Sequence, residues 1–174
     1  MGEDILANSH KKLAEYAKSF LYAFIVFIIL YISLWPVRIV GVSMEPVLSH
    51  NDRVFVSRAI GFFGVYGGGD IVMVRARYHE GRRFIIKRII AEPGDELRIE
   101  NGSVFVNDEP VGYFDEVFVS GDLSLTLAAG QYFLMGDNSS YSFDSRNFGA
   151  VDRNDIIGKV LFRFFSGNIF GNMP

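Results

Sequence analysis

The chain of 174 residues contains no cysteine, one tryptophan and only three histidines. The absence of cysteine excludes disulfides, thiolate metal sites and cysteine catalysis. His10, His50 and His79 are scattered without metal-ligand spacing, so we predict surface histidines and no metal site. The net charge is -3 and no lysine- and arginine-rich run is present, which argues against a nucleic-acid partner.

Charge is also missing from residues 19–37. Nineteen residues at about 1.5 Å per residue span roughly 28 Å, close to the hydrocarbon thickness of a bilayer, so we predict a transmembrane helix. Tyr22, Tyr31 and Trp35 resemble interfacial anchors. A buried core helix and a cleaved signal peptide are the alternatives. The run has no polar stripe, exceeds the roughly 7–15 apolar residues of a signal peptide, and lacks a small-residue cleavage site.

The basic residues around this run predict its orientation. Lys11, Lys12 and Lys18 precede it closely, whereas Arg38 is the only basic residue after it before Arg53. The positive-inside rule then keeps residues 1–18 cytoplasmic, makes 19–37 the single membrane anchor, and places 38–174 outside the cytoplasmic membrane.

The part beyond Arg38 is predicted to be mainly β, as an antiparallel domain. Asn101-Gly102 between two alternating runs predicts a type I′ hairpin. Residues 61–69 are rich in glycine but lack the lysine of a phosphate loop, so we expect a flexible hairpin or surface loop there. The predicted strands are residues 53–57, 70–75, 84–90, 96–100, 103–106, 131–135 and 157–165.

Ser43 follows the apolar run by six residues, and a serine hydroxyl needs a neighbouring base to become a nucleophile. From residue 38 onward there are twelve arginines, which cannot act as bases, and only two lysines, Lys87 and Lys159. Strand alternation puts Ile85 and Ile89 on the same face as Lys87, where desolvation would favour a neutral amine. The alternative is an edge-strand lysine whose amine reaches water.

Residues 136–149 form the second dense group of polar side chains, with hydroxyls, carboxylates and one arginine between two glycines. A turn capped by Asx and serine hydrogen bonds would account for this composition equally well.

Three segments together resemble the bacterial type I signal peptidases, membrane-anchored serine/lysine proteases that remove signal peptides from exported proteins. Gly-Val-Ser-Met-Glu-Pro at 41–46 resembles the serine motif of that family. Ile-Lys-Arg-Ile-Ile-Ala-Glu-Pro-Gly-Asp at 86–95 resembles its lysine motif. Gly-Asp-Asn-Ser-Ser-Tyr-Ser-Phe-Asp-Ser-Arg at 136–146 is similar to its third motif. The segments occur in the family's order behind an anchor.

The resemblance implies a role for each matching residue. Ser43 would attack the scissile carbonyl and its backbone N–H would bind the oxyanion, while Lys87 would accept the serine proton. Ser142 would orient the Lys87 amine, and Asp144 and Arg146 would pair to support the loop. Some family members carry a second oxyanion donor, a serine two positions before the nucleophile. This chain has Gly41 there.

The resemblance also implies the substrate: preprotein signal peptides with small residues at the first and third positions before the cut. Ile39, Met44, Leu48, Ile85 and Ile86 match positions that line those pockets, with ordinary core packing as the alternative. The expected partners are these peptides and the lipid bilayer, without a cofactor. A related peptidase dedicated to one conjugation or pilin substrate, a soluble autoprotease and a non-enzymatic anchored β domain are the rival functions.

Overall fold

The structure, a computed structural model, describes residues 2–63, 66–77, 81, 83–114 and 122–166. The chain divides into two compact units, residues 1–35 and residues 36–174.

The first unit is a single helix, α1 (Gly2–Ser33). Its apolar side chains are largely exposed, and aromatic rings stack one turn apart, Phe20 on Phe24 and Phe27 on Tyr31. In the described part of the chain, no helix is both long enough and apolar enough to cross a membrane.

The predicted helix over 19–37 is wrong at its C-terminal end. Helix α1 stops at Ser33, and the residues that follow form strand β1 (Leu34–Arg38). Pro36 explains the boundary, because proline has no N–H to donate and disfavours helical dihedral angles at the preceding Trp35.

The second unit is mainly β, as predicted, and contains two antiparallel sheets. The larger sheet has the strand order β1-β2-β11-β3-β4-β9-β10 and the smaller has β7-β6-β5-β8. The strands are β2 (Arg53–Ser57), β3 (Ile71–Arg75), β4 (Phe84–Ala91), β5 (Glu96–Glu100), β6 (Ser103–Val106), β7 (Glu109–Pro110), β8 (Leu123–Thr126), β9 (Gln131–Met135), β10 (Val151–Asp152) and β11 (Ile156–Phe165).

The strands predicted from period-two patterns are all present, with boundaries within one residue. The hairpin at Asn101-Gly102 is confirmed: both residues have positive φ, 48° and 75°, as a type I′ turn requires. Four strands were not predicted. β1 lies within the apolar run, β7 and β10 have two residues each, and β8 has four.

The surface loop predicted at 61–69 is wrong in part. Residues 61–63 belong to a short helix, α2 (Arg58–Phe63). Ser57 directly precedes this helix, and its hydroxyl accepts a hydrogen bond from the Ile60 N–H. Tyr66 is buried rather than exposed, and residues 64–65 lie outside the described residues. A serine cap followed by only six residues gives too little periodicity to predict a helix.

Two apolar clusters form the core of this unit. The first joins Ile85 and Ile89 of β4 to Val74, Tyr132 and Leu134. The second joins Ile90 and Ala91 to Leu97 and Ile99 of the smaller sheet. Strand β4 therefore contributes to both clusters, and it also carries Lys87.

Candidate active site

Ser43 lies in a loop that is closed at its neck by backbone hydrogen bonds. The N–H of Ile39 donates to Asp52 O at 2.8 Å, and the N–H of Asn51 donates to Ile39 O at 3.0 Å. Gly41 has φ = 110°, a conformation that side-chain-bearing residues rarely adopt, and its N–H donates to His50 Nδ1 at 3.1 Å. The backbone that leads into Ser43 therefore has a conformation at position 41 that favours glycine.

The main chain around Ser43 packs against the loop that follows β9. The N–H of Asn138 donates to Ser43 O at 3.1 Å, and Asn138 Nδ2 donates to Val42 O at 3.2 Å. Gly136 lies at the same contact: a Cβ added there would clash with Ser43 O and with Ser142, whose Cβ would be 2.8 Å away. These contacts bring two of the sequence-predicted segments together.

Lys87 is in the middle of β4 and is only 3% exposed. On one side β4 pairs with β3, where Val72 lies opposite Lys87. On the other side the described pairing with β9 begins only at Arg88, opposite Met135. Among the described strands, none pairs with that edge of β4 over residues 84–87.

Lys87, Ser142 and Asp144 form a continuous hydrogen-bond chain. Lys87 Nζ is 2.8 Å from Ser142 Oγ, which is 2.6 Å from Asp144 Oδ2. An ionised carboxylate only accepts, so the single hydroxyl hydrogen of Ser142 must point to Asp144. Ser142 can then only accept from Lys87. A neutral Lys87 amine that donates here keeps its lone pair directed elsewhere.

Asp144 is fully buried, and its charge is compensated by several donors. Arg146 Nε donates to Oδ1 at 2.8 Å and Arg146 Nη2 donates to Oδ2 at 2.9 Å. The Gly136 N–H donates to Oδ2 at 3.0 Å. Asp144 also caps α3 (Ser145–Phe148) through a reciprocal capping box with Asn147. A buried carboxylate in this arrangement fixes both the loop and the Ser142 hydroxyl.

Arg88, the residue that follows Lys87, forms a second ion pair beside this hydrogen-bond chain. Arg88 donates to both carboxylate oxygens of Asp137 at 2.7 Å and to Gly69 O at 2.7 Å. Its guanidinium lies over the ring of Tyr113, 4.6 Å from the centroid. The hydrogen bonds to Asp137 raise the pKa of the Arg88 guanidinium above its ordinary value. The pair joins β4 to the 136–138 loop by a bidentate contact.

The predicted pocket residues are mostly buried. Ile39, Met44 and Leu48 have almost no exposed surface, and Ile85 belongs to the first core cluster. Ile86 is half-buried and points to the opposite face of β4 from Lys87. Ile85 also lines a cavity of about 270 Å³, together with Val74, Phe148 and Val151. Their role in substrate binding stays a prediction.

The sequence interpretation assigned no role to Arg88, Asp137 or Asn138. All three lie inside the motifs it quoted, but their partners are distant in sequence: Arg88 and Asp137 are 49 residues apart, and Asn138 and Val42 are 96 apart. An arginine directly after Lys87 on a buried strand was the one available signal, because a buried cation needs a carboxylate partner.

In the described ranges, no group of three or more His, Asp or Glu side chains is arranged to hold a metal ion. The described side chains that meet at this site are one amine, hydroxyls, carboxylates and guanidinium groups. Such a set can hold and move a proton and can stabilise a negative charge.

Comparison with known proteins identifies the family. Residues 13–165 match the family model described as signal peptidase, peptidase S26. Signal peptidase I U of Bacillus subtilis (strain 168) is 35% identical over 150 residues, which cover 79% of this chain and 78% of that protein. Signal peptidase I of Bacillus licheniformis is 30% identical over 182 residues and 97% of both chains. A crystal structure of a signal peptidase I from Enterococcus faecalis V583 superposes with a TM-score of 0.47 at 24% identity, covering 56% of this chain and 97% of that one. The chain belongs to the signal peptidase family, peptidase S26.

Proposed function

We propose that this chain is a membrane-anchored serine endopeptidase that removes signal peptides from exported preproteins with a Ser43–Lys87 dyad. The observation that carries the proposal is the hydrogen-bond chain from Lys87 through Ser142 to Asp144. It holds a buried amine in one orientation, next to a loop that contacts the main chain of Ser43. Burial disfavours the ammonium form, so the amine is suited to accept a proton.

In the proposed reaction, Lys87 takes the hydroxyl proton of Ser43 while Oγ bonds to the scissile carbonyl carbon. The negative charge on the carbonyl oxygen is met by the Ser43 N–H. The C–N bond then breaks, and the Lys87 ammonium gives its proton to the leaving amine. Lys87 then takes a proton from a water molecule, whose oxygen bonds to the acyl carbon. The bond from that carbon to Ser43 Oγ breaks, and the Lys87 ammonium returns the proton to Ser43. The products are a free carboxylate and a free amine.

Substrate binding is proposed at the edge of β4 that faces away from β3, beside Lys87. An extended peptide would add there as a further strand, because the described pairing of β4 with β9 begins only at Arg88. Its side chains would alternate between two faces, with Ile86 on one and Ile85 on the other. Small residues at the first and third positions before the cut are proposed to bind next to Ile39, Met44 and Leu48, which are buried and would leave little space for a larger side chain.

The anchor is proposed to be the apolar part of α1, which crosses the bilayer with its N-terminus in the cytoplasm. Exposed side chains including Phe20, Phe24 and Ile29 support this, because a helix that exposes so much apolar surface is suited to lipid. Lys12 and Lys18 lie on the cytoplasmic side in this arrangement. The β unit would then face the extracytoplasmic side, where exported preproteins emerge.

The test is cleavage of a preprotein by the full chain in detergent or lipid. Ser43→Ala and Lys87→Ala should each abolish cleavage. Ser140→Ala and Lys159→Ala are the matched controls, since Ser140 is exposed and Lys159 forms a surface ion pair with Asp70. Activity retained in either dyad variant would refute the mechanism.

The range of substrates distinguishes a general enzyme from a dedicated one. A general signal peptidase should process a panel of unrelated preproteins with small residues at the two positions. Cleavage of only one member would favour a peptidase dedicated to a single substrate. No cleavage of any preprotein by the wild-type chain would favour a non-enzymatic anchored domain.

A further inference from the structure

We infer that Asn138 is a positioning residue that orients the oxyanion-binding N–H of Ser43. The inference rests on the proposed function, since it concerns how Ser43 would act as a nucleophile. It starts from the two hydrogen bonds that Asn138 gives to consecutive carbonyl groups, Val42 O and Ser43 O.

The bond to Val42 O acts directly on the proposed oxyanion donor. The carbonyl of Val42 and the N–H of Ser43 belong to one planar peptide group and point in opposite directions. When Asn138 Nδ2 holds that carbonyl at 3.2 Å, it fixes the direction in which the Ser43 N–H points. A carbonyl that accepts hydrogen bonds also polarises its peptide group, which makes the N–H a stronger donor.

The bond to Ser43 O fixes the next peptide group. The backbone N–H of Asn138 donates to it at 3.1 Å. With the planes on both sides of the Ser43 Cα held by one residue, the backbone dihedral angles of Ser43 are restrained. The direction of its Cα–Cβ bond, and hence the reach of its hydroxyl, follows from those angles.

Asn138 is itself fixed to the remaining site. It follows Asp137, whose carboxylate is held by Arg88 on the strand of Lys87. It lies two residues after Gly136, whose N–H donates to Asp144. The Ser43 loop is thus aligned against the same short segment that contacts Arg88, the neighbour of the base, and Asp144, the partner of Ser142. Because Gly41 offers no hydroxyl, the Ser43 N–H carries a larger share of oxyanion binding in this chain.

The side-chain bond can be removed without the backbone bond. Asn138→Asp keeps the size of the side chain and the N–H to Ser43 O but loses the Nδ2 donor. Val42 O still accepts from the Glu45 N–H at 3.1 Å, so the turn itself should remain folded. Asn154→Asp is the matched control, because Asn154 is exposed and the change adds the same charge.

The experiment measures preprotein cleavage and thermal unfolding of the full chain in detergent. Asn138→Asp should lower kcat about 10- to 100-fold, the range expected when reacting groups are misplaced by an ångström or less, with KM and Tm close to wild type. Asn138→Ala should behave alike, and Asn154→Asp should match wild type.

The dependence of kcat on pH distinguishes positioning of the Ser43 N–H from an effect on Lys87, the proposed base. Asn138→Ala should lower the plateau of the kcat–pH curve and leave its inflection where it is in the wild type, because it removes the Nδ2 donor without adding a charge near Lys87. An unchanged plateau would overturn the inference, as would a loss explained by a fall in Tm or a rise in KM. If the wild type cleaves no preprotein, the proposed function fails. A cleaving wild type with a fully active Asn138→Asp refutes only the positioning role.

Discussion

The hydroxyl of Ser142 donates to Asp144 at 2.6 Å, and this contact decides what Ser142 can offer to its other neighbour. With its one hydrogen committed, Ser142 can only accept from Lys87, 2.8 Å away. The buried carboxylate therefore sets the direction of a hydrogen bond that it does not itself make. Asp144 is more than a support for the loop, which was the role expected from the sequence.

Removing the Ser142 hydroxyl should impair the reaction more than the fold. Ser142→Ala leaves Lys87 without the acceptor that orients its amine, so we expect kcat to fall about 10- to 100-fold, part of what a well-placed base contributes. Steady-state cleavage of a preprotein measures this. Ser140→Ala, on an exposed neighbour, should keep wild-type activity, and an equal rate in both variants would contradict the orienting role.

Arg146 should matter mainly for stability. Arg146→Ala leaves the carboxylate of Asp144 buried without its counter-charge, and breaking a buried pair costs about 3–5 kcal/mol. Denaturant unfolding of the full chain would measure the loss. Arg98→Ala is the comparison, because Arg98 pairs with Glu100 and Asp108 at the surface and its loss should change stability little. Equal stabilities of the two variants would contradict the prediction.

Gly136 should not tolerate a side chain. Gly136→Ala would place a methyl group against Ser43 O and Ser142, so the two segments must separate. We expect a loss of stability of about 1–3 kcal/mol from overpacking and a fall in activity of about 100-fold from misalignment. Gly112→Ala meets no atom within 4 Å and serves as the control in both assays. A fully active Gly136→Ala would show that this contact is not needed.

Stability should decline at alkaline pH because of two buried tyrosines. Burial raises the pKa of Tyr66 and of Tyr132 above 10.0, the value in the unfolded chain. The folded state therefore retains protons that the unfolded state releases, and the free energy of unfolding falls as pH rises above about 10. Below that pH both states are neutral and no dependence from these groups is expected.

Tyr66→Phe should flatten this alkaline decline, as measured by denaturant unfolding from about pH 8 to 11. The hydroxyl of Tyr66 is buried with no hydrogen-bond partner among the described residues, so the variant should be no less stable at neutral pH. Tyr141→Phe, at an exposed tyrosine, should leave the pH dependence as in wild type. A steep decline that persists unchanged in Tyr66→Phe would contradict the assignment.

The sequence predicted the strands well because period-two alternation of β-branched residues is a local property. Arg53–Ser57, Glu96–Glu100 and Gln131–Met135 were predicted to the residue. The end of α1 was missed because an apolar run does not show where helix gives way to strand. Pro36 marked the boundary but was counted as part of the span.

The sequence predicted which residues belong to the candidate site but not which hydrogen bonds they make with one another. Scarcity of lysine singled out Lys87, and its burial follows from the isoleucines on its face. That Asp144 would take the Ser142 hydrogen, or that Asn138 would hold Val42 O, depends on how loops from distant parts of the chain meet. No local sequence pattern predicts these contacts between loops, because strand order and register determine which loops lie next to each other.

The edge of β4 that faces away from β3 has a consequence for how this protein behaves at high concentration. No other described strand pairs with it over residues 84–87, so an extended chain, including that of another copy, can add there. The opening that would admit a substrate is therefore also a place where molecules can associate and aggregate. Occupancy by a peptide should protect against that association, so a bound substrate or inhibitor would keep the purified protein in solution.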